Sequence, residues 1–207
     1  MEDYNELIQG LLSSVPSDSV PMPDTLSYYI LEKERKYYID SDITENIITL
    51  QRMLLRWNME DKGKPVEERK PIWVYIMSYG GEADYMWMLI DAIKMSKTPV
   101  YTVNIGVAAS AAAIIFIAGH KRFMMPNAHV LIHEGSAQMS GDAVKVMDAT
   151  DAYRKELKRM RDFILEHTEI PKTSMSKKRN NDWTLDSEYC LANKVCDVLV
   201  KSFDDII

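Results

Sequence analysis

The chain has 207 residues, which is enough for one domain with a sizeable core. Apolar residues make up 46% and charged residues 27%, as in ordinary globular proteins, which excludes collagen-like and disordered classes. The formal net charge of -6 argues against a nucleic-acid partner, because phosphate binding needs clustered Lys and Arg.

Signals for membranes, export and metals are weak in this sequence. The longest apolar run, residues 107–118, is shorter than the roughly 18 to 20 residues that span a bilayer, so we expect a buried helix and no membrane partner. The segment MEDYNELIQG lacks the basic start and apolar core of a signal peptide, which indicates a cytoplasmic protein. Cys190 and Cys196 are expected to be reduced core residues. The histidines form no HxH or helical HExxH pattern, so we expect no metal site.

The first half of the chain predicts an arm, a strand and a helix. Residues 1–26 hold three of the eight prolines and are expected to form an N-terminal arm. A strand-like run follows at residues 36–39. Asp42 and Glu45 have capping-box spacing, which predicts that a helix begins there. Its inner face recurs at three- and four-residue steps: Ile43, Ile47, Leu50, Leu54 and Trp57.

From residue 71 onward, strands alternate with helices. Such alternation is typical of parallel βαβ units, so the predicted fold class is α/β. The predicted strands cover residues 72–77, 99–105, 122–125 and 128–133, and the predicted helices cover residues 83–95 and 108–118. A long helix is expected from about residue 142 to 167, with an inner stripe of Val144, Met147, Tyr153, Leu157, Met160 and Ile164.

Ser110 is the one hydroxyl in the apolar run and is predicted to lie in the first turn of a helix. Backbone N–H groups there lack intrahelical partners and favour negative charge. Gly80 and Gly81 follow the neighbouring strand and can bring further amides close, because neither has a Cβ. An isolated serine at a helix start more often caps the helix, and spacing alone leaves both interpretations open.

A nucleophilic serine needs a base, and His133 ends a strand at the same edge of the predicted sheet. His129 is better explained as a core residue, and His120 and His167 as residues near helix ends. A carboxylate must orient the imidazole, and spacing leaves several open: Asp142, Asp148, Asp151, Asp182 and Asp186.

Three ordered motifs carry a resemblance to a known family. They are Met77-Ser78-Tyr79-Gly80-Gly81, Gly106-Val107-Ala108-Ala109-Ser110, and the segment from Pro126-Asn127 to His133. From about Lys36 to Val200, the chain resembles the Clp protease proteolytic subunit, ClpP, a serine peptidase of the crotonase-like superfamily, as a divergent or phage-type member. The resemblance implies repeated ββα units in a peptidase domain over residues 27–207.

The resemblance also implies site residues. Ser110 would be the nucleophile, His133 the base, and the amides of Gly81 and Ala111 the oxyanion hole. Asp182 would be the acid, with Asp186 as the alternative. No cofactor is needed for this chemistry.

The implied assembly is a homo-oligomer of two stacked heptameric rings, a tetradecamer that encloses the active sites. The long helix and its following strand would build the contact between rings, and an ATP-driven unfoldase of the Clp family would feed unfolded proteins into the chamber. Alternatives are a Clp-like peptidase for virus particle (head) maturation, an inactive ring subunit, and a crotonase-type acyl-CoA enzyme.

The chain departs from the family pattern at three places. Tyr79 replaces a proline before the glycine pair. Residues 134–141 replace a glycine-rich stretch that lines the substrate cleft, and Lys194 replaces a glycine near the C-terminus. The second departure leaves the peptide preference open.

Overall fold

A computed structural model describes residues 23–178 and 181–207. For residues 23–26 it describes the backbone and not the side chains. Residues 1–22, and with them most of the predicted arm, lie outside the described residues. Helix α1 (Pro23–Lys33) belongs to a first unit that ends at Glu34, and the second unit runs from Arg35 to Ile207. Among the described residues, no helix is long and apolar enough to cross a membrane.

The second unit contains seven strands and six α-helices among the described residues. The strands are β1 (Lys36–Ile39), β2 (Ile72–Ser78), β3 (Val100–Ala109), β4 (Lys121–Met124), β5 (His129–Ile132), β6 (Trp183–Asp186) and β7 (Val198–Leu199). The helices are α2 (Ile48–Glu60), α3 (Ala83–Met95), α4 (Ala111–Ile117), α5 (Ala143–His167), α6 (Lys172–Lys178) and α7 (Ser187–Ala192). Single 3-10 turns cover Glu45–Ile47, Val66–Glu68 and Phe203–Asp205.

The predicted α/β class is confirmed by a mainly parallel sheet in the order β1-β2-β3-β4-β7. Strand β3 is long enough to pair twice: its first half pairs with β4 and its second half with β5. Strand β6 then pairs antiparallel with β5. This extension carries β5 and β6 beyond the carboxyl end of β4 and level with the carboxyl end of β2, where open α/β sheets place their sites.

The core lies between the sheet and the helices α2, α3 and α4. Every residue of α4 is buried, and Trp57 of α2 and Phe116 of α4 are among the largest fully buried side chains. Burying side chains of this size contributes about 1.5–3 kcal/mol each. The two cysteines are free and buried, as expected from the sequence.

The predicted capping box before α2 is wrong. A 3-10 turn begins at Glu45, and its N-cap residue Thr44 makes no side-chain capping bond. The amide of Asn46 instead donates to Ser41 Oγ at 2.8 Å and accepts from the Thr44 N–H at 3.3 Å. The loop is therefore closed by Asn46, because its amide offers both a donor and an acceptor where a carboxylate offers acceptors alone.

The long helix α5 has the predicted length, but its inner stripe is wrong in the N-terminal half. Phe163 and Ile164 near its C-terminal end are buried, whereas Val144 and Met147 are 68% and 67% exposed. The core of one chain reaches only the C-terminal half of α5. The element that follows α5 is the short helix α6 rather than the expected strand.

Candidate active site

The candidate nucleophile lies where β3 turns into α4. The prediction that β3 ends before Gly106 is wrong, because the strand continues to Ala109 and the helix begins at Ala111. Ala108 pairs with Ser78 of β2 and with Val130 of β5. Pairing on both edges thus overrides the helix propensity of the alanines.

Ser110 sits at this junction in a strained backbone conformation, with φ 54° and ψ -123°. Few residues other than glycine adopt a positive φ, and such strain is concentrated at functional sites. Its N–H donates to the Leu131 carbonyl at 2.9 Å, and its own carbonyl accepts from Ala113 at 3.0 Å. Its hydroxyl makes no capping bond to the helix, so the capping interpretation is wrong. Ser110 lies at a sharp turn from strand to helix, a place where the nucleophilic serines of α/β hydrolases are also found.

Gly80 packs directly against this turn. A Cβ at Gly80 would lie 2.7 Å from the Cβ of Ser110 and 3.1 Å from the backbone nitrogen of Ala111. Its φ of 107° also excludes most L residues. Only glycine therefore permits this approach between the two turns.

Gly81 is held from its other side by Ile43. The Ile43 N–H donates to the Gly80 carbonyl, and the Ile43 carbonyl accepts from the Glu82 N–H, both at 2.8 Å. Because peptide groups alternate in an extended chain, the Gly81 amide between them is directed away from Ile43. The Gly81 amide is therefore directed towards β3, the strand that leads into Ser110.

His133 follows β5 and lines the same cleft as Ser110. The pairing of β5 with β3 and the bond from Ser110 to Leu131 fix the end of β5 beside the serine turn. The His133 side chain is 32% exposed, so a substrate in the cleft can reach the imidazole. Of the four histidines, all within the described residues, His133 is the one that lines the cleft.

The register between β5 and β6 decides which carboxylate meets the imidazole. Ile132 pairs with Trp183, so His133 lies opposite Asp182, and Nδ1 of His133 is 3.4 Å from Oδ1 of Asp182. This separation suits an ion pair and is longer than a hydrogen bond. Asp186 lies at the other end of β6 opposite His129, and its carboxylate caps α7 by accepting from the Tyr189 N–H at 2.7 Å.

The other carboxylates left open by spacing have different surroundings. Asp142 caps α5 and accepts from the Lys145 N–H, which lowers the pKa of Asp142. Asp151 pairs with Arg154 on the exposed face of α5. The structure therefore brings together Ser110, His133 and Asp182.

A comparison with known protein families gives a match over most of the chain. The sequence profile of the Clp protease family matches residues 25–201. The chain belongs to the Clp protease family.

Relatives within the Clp protease family are found in several bacteria. The ATP-dependent Clp protease proteolytic subunit 2 of Treponema denticola is 38% identical over 136 residues, which are 61% of this chain and 66% of that relative. The subunit 2 of Borreliella burgdorferi is 31% identical over 165 residues, covering 78% of this chain and 80% of the relative. The proteolytic subunit of Deinococcus radiodurans is 27% identical, with coverage of 84% and 83%.

The cleft of this Clp protease family member is mainly apolar. Its walls come from α4, β5, α5, α6 and β6, through Ala113, Ile114, Ile132, Leu157, Met160, Ile164, Met175 and Trp183. Three charged residues, Glu134, Arg161 and Lys178, also line it. Sequence reasoning identified Leu157, Met160 and Ile164 as helix core and assigned no site role to Arg161 or Lys178.

No group of three or more His, Cys, Asp or Glu side chains within residues 23–178 and 181–207 could hold a metal ion. The ionisable residues that meet at the cleft are suited to proton transfer.

Proposed function

We propose that this chain is a serine endopeptidase in which Ser110 is the nucleophile, His133 the general base and Asp182 the acid. The observation that carries the proposal is the setting of Ser110. Its backbone is strained, its hydroxyl makes no capping bond to α4, and it lines the same cleft as His133. Membership of the Clp protease family supports the same chemistry.

The proposed reaction is acyl transfer in two steps. Ser110 Oγ attacks the peptide carbonyl while His133 takes the hydroxyl proton and then donates it to the leaving amine. Water then attacks the acyl carbon and loses a proton to His133, and the bond from the acyl carbon to Ser110 Oγ breaks. His133 returns the proton to Ser110 Oγ, which restores both residues. Asp182, on the Nδ1 side of the ring, favours the tautomer that leaves Nε2 free to accept the proton.

The proposed oxyanion hole consists of the amides of Gly81 and Ala111. Ala111 opens α4, so its N–H has no intrahelical acceptor, and the Gly81 N–H is directed away from Ile43. Each such donor contributes roughly 2.7–4 kcal/mol to the stabilisation of a tetrahedral intermediate.

The proposed substrates are extended segments of unfolded proteins. The exposed stretch of residues 135–138 follows the base and has no regular structure, so an extended peptide can pair with its backbone by strand addition. Recognition of this kind depends on backbone groups of the substrate more than on its side chains.

The proposed assembly is a homo-oligomeric chamber of two stacked heptameric rings in the cytoplasm, fed by a Clp-family ATPase. The exposed apolar residues Val144 and Met147 on α5 support burial against a second copy. The relatives from Treponema denticola and Borreliella burgdorferi are named ATP-dependent, which supports an ATPase partner.

A fluorophosphonate tests the proposal directly. Attack by Ser110 Oγ on phosphorus forms a P–O bond and expels fluoride, which adds one phosphonyl group to the intact mass. We expect one adduct on wild type, none on Ser110→Ala, and one on the matched control Ser176→Ala, whose serine is exposed on α6 and does not line the cleft. An assembled wild-type ring without an adduct would instead indicate an inactive ring subunit.

A further inference from the structure

The residue after the candidate base is held by α5 at two points. Arg161 Nη1 donates to the Glu134 carboxylate at 2.6 Å, and the Tyr153 hydroxyl donates to the Glu134 carbonyl at 2.7 Å. Both the side chain and the backbone of Glu134 are therefore fixed, immediately before a stretch without regular structure. The two contacts place the end of β5 relative to α5.

The pair of charges also faces the candidate site. The Glu134 and Arg161 side chains are 23% and 29% exposed, and both line the cleft together with Ser110 and His133. In a partly buried apolar cleft, a charge acts on its neighbours more strongly than on an open surface. The carboxylate of Glu134 is balanced by the guanidinium of Arg161.

The charged groups near His133 come from four parts of the chain. Asp182 contacts the imidazole, Glu134 follows it in the chain, Arg161 comes from α5, and Lys178 lies at the end of α6. The Arg161–Glu134 pair is the one whose two charges are joined by a direct ion pair in the cleft wall. Removing Arg161 therefore takes a positive charge away from the base, and removing Glu134 takes away a negative charge.

We infer that Arg161 is a positioning residue for His133. Through Glu134 it fixes the chain directly after the base, and its positive charge disfavours the protonated imidazole. This inference rests on the proposed function, because it assigns a role relative to a reacting Ser110–His133 pair.

The test is the rate at which fluorophosphonate labels Ser110 in the full-length protein, measured between pH 5 and pH 9. In Arg161→Gln the loss of the positive charge favours imidazolium, so the acid limb of the profile moves to higher pH by roughly half a unit. In Glu134→Gln the free guanidinium disfavours imidazolium, so the limb moves to lower pH. Loosening the chain after His133 also lowers the plateau rate in Arg161→Gln by about 10-fold.

Two further variants separate positioning from a merely structural role. Arg161→Lys keeps the positive charge and is expected to return the acid limb to its wild-type position. Arg154→Gln removes an exposed arginine on the same helix, which pairs with Asp151, and is expected to leave the whole profile unchanged. Melting temperatures and ring size are compared for all variants.

Opposite shifts in the two glutamine variants support the inference. Identical acid limbs in wild type, Arg161→Gln and Glu134→Gln, with a wild-type plateau rate, would overturn it while leaving the proposed function intact. An assembled wild-type protein that fluorophosphonate does not label at any pH would overturn both.

Discussion

His133 and Asp182 meet because β5 and β6 run antiparallel in a register that pairs Ile132 with Trp183. The next pair of residues along these strands is His133 and Asp182, whose Nδ1 and Oδ1 atoms are 3.4 Å apart. Asp186, four residues further along the chain, lies at the opposite end of β6 and caps α7. The two carboxylates therefore have separable roles.

Replacing Asp182 with Asn is expected to lower the turnover of a peptide substrate by about 100-fold to 10,000-fold, because the imidazole loses the anion that orients it. The fold and the elution volume in gel filtration should match wild type, since the Asp182 side chain is 74% exposed. The matched control is Asp186→Asn, which keeps a capping oxygen for α7. Steady-state rates with gel filtration check both variants, and near-normal turnover in Asp182→Asn would remove Asp182 from the site.

Replacing Gly80 with Ala is expected to abolish labelling of Ser110. The added Cβ would lie 2.7 Å from both the Ser110 Cβ and the Ala109 carbonyl oxygen, so the serine turn has to move. The control Gly63→Ala carries a similar positive φ of 91° with nothing within 4 Å of the new Cβ. It should cost about 1 kcal/mol of stability and leave labelling intact. Equal labelling in both variants would contradict the close approach of Gly80.

Lys194→Gly is expected to stabilise the protein by about 0.5–1 kcal/mol. Lys194 has a φ of 54° and occupies the left-handed position of a Schellman motif that ends α7. Its N–H donates to Leu191, and the N–H of Val195 donates to Cys190 at 2.8 Å. Denaturant unfolding measures the gain, and Lys194→Ala is the control, because alanine keeps the strained conformation and should bring no gain.

Asp61→Asn is expected to destabilise the protein by about 3 kcal/mol at neutral pH, because the buried Arg35 guanidinium loses the buried carboxylate and keeps only the half-exposed Glu60 as an ionic partner. Arg35 Nη1 donates to Asp61 at 2.5 Å, and Thr98 Oγ1 donates at 2.9 Å to an Asp61 side chain that is 1% exposed. As a control, Asp151→Asn breaks an exposed pair and should change stability by less than about 1 kcal/mol.

The same pair predicts a pH dependence of stability. The hydrogen bond from Arg35 holds the pKa of Asp61 well below its usual range. A carboxyl whose folded pKa is depressed contributes stability that is present above the unfolded pKa of about 3.9 and is lost as the pH falls further. Unfolding free energies between pH 6 and pH 2.5 should fall more steeply in wild type than in Asp61→Asn. Parallel curves would contradict the role of this carboxylate.

Much of the fold followed from local pattern. The spacing of apolar residues predicted the bounds of β2 and α3 to within one residue, since each repeating pattern is contained in one continuous segment of the sequence. The end of β3 was predicted too early, because Ala108 has a helical propensity that only pairing with two neighbouring strands overrides. The N-terminal half of α5 was predicted as core but is exposed, since periodicity indicates an apolar face and does not show which part of that face the fold covers.

The sequence by itself determined the α/β class, the Clp protease resemblance, and Ser110 and His133 as the candidate pair, because motifs and periods are properties of contiguous residues. The tertiary structure alone decided that Ser110 occupies a strained turn rather than a helix, that Asp182 rather than Asp186 meets His133, and that Arg161 reaches Glu134. These relationships depend on strand register and on helix packing between distant segments. No local pattern encodes them.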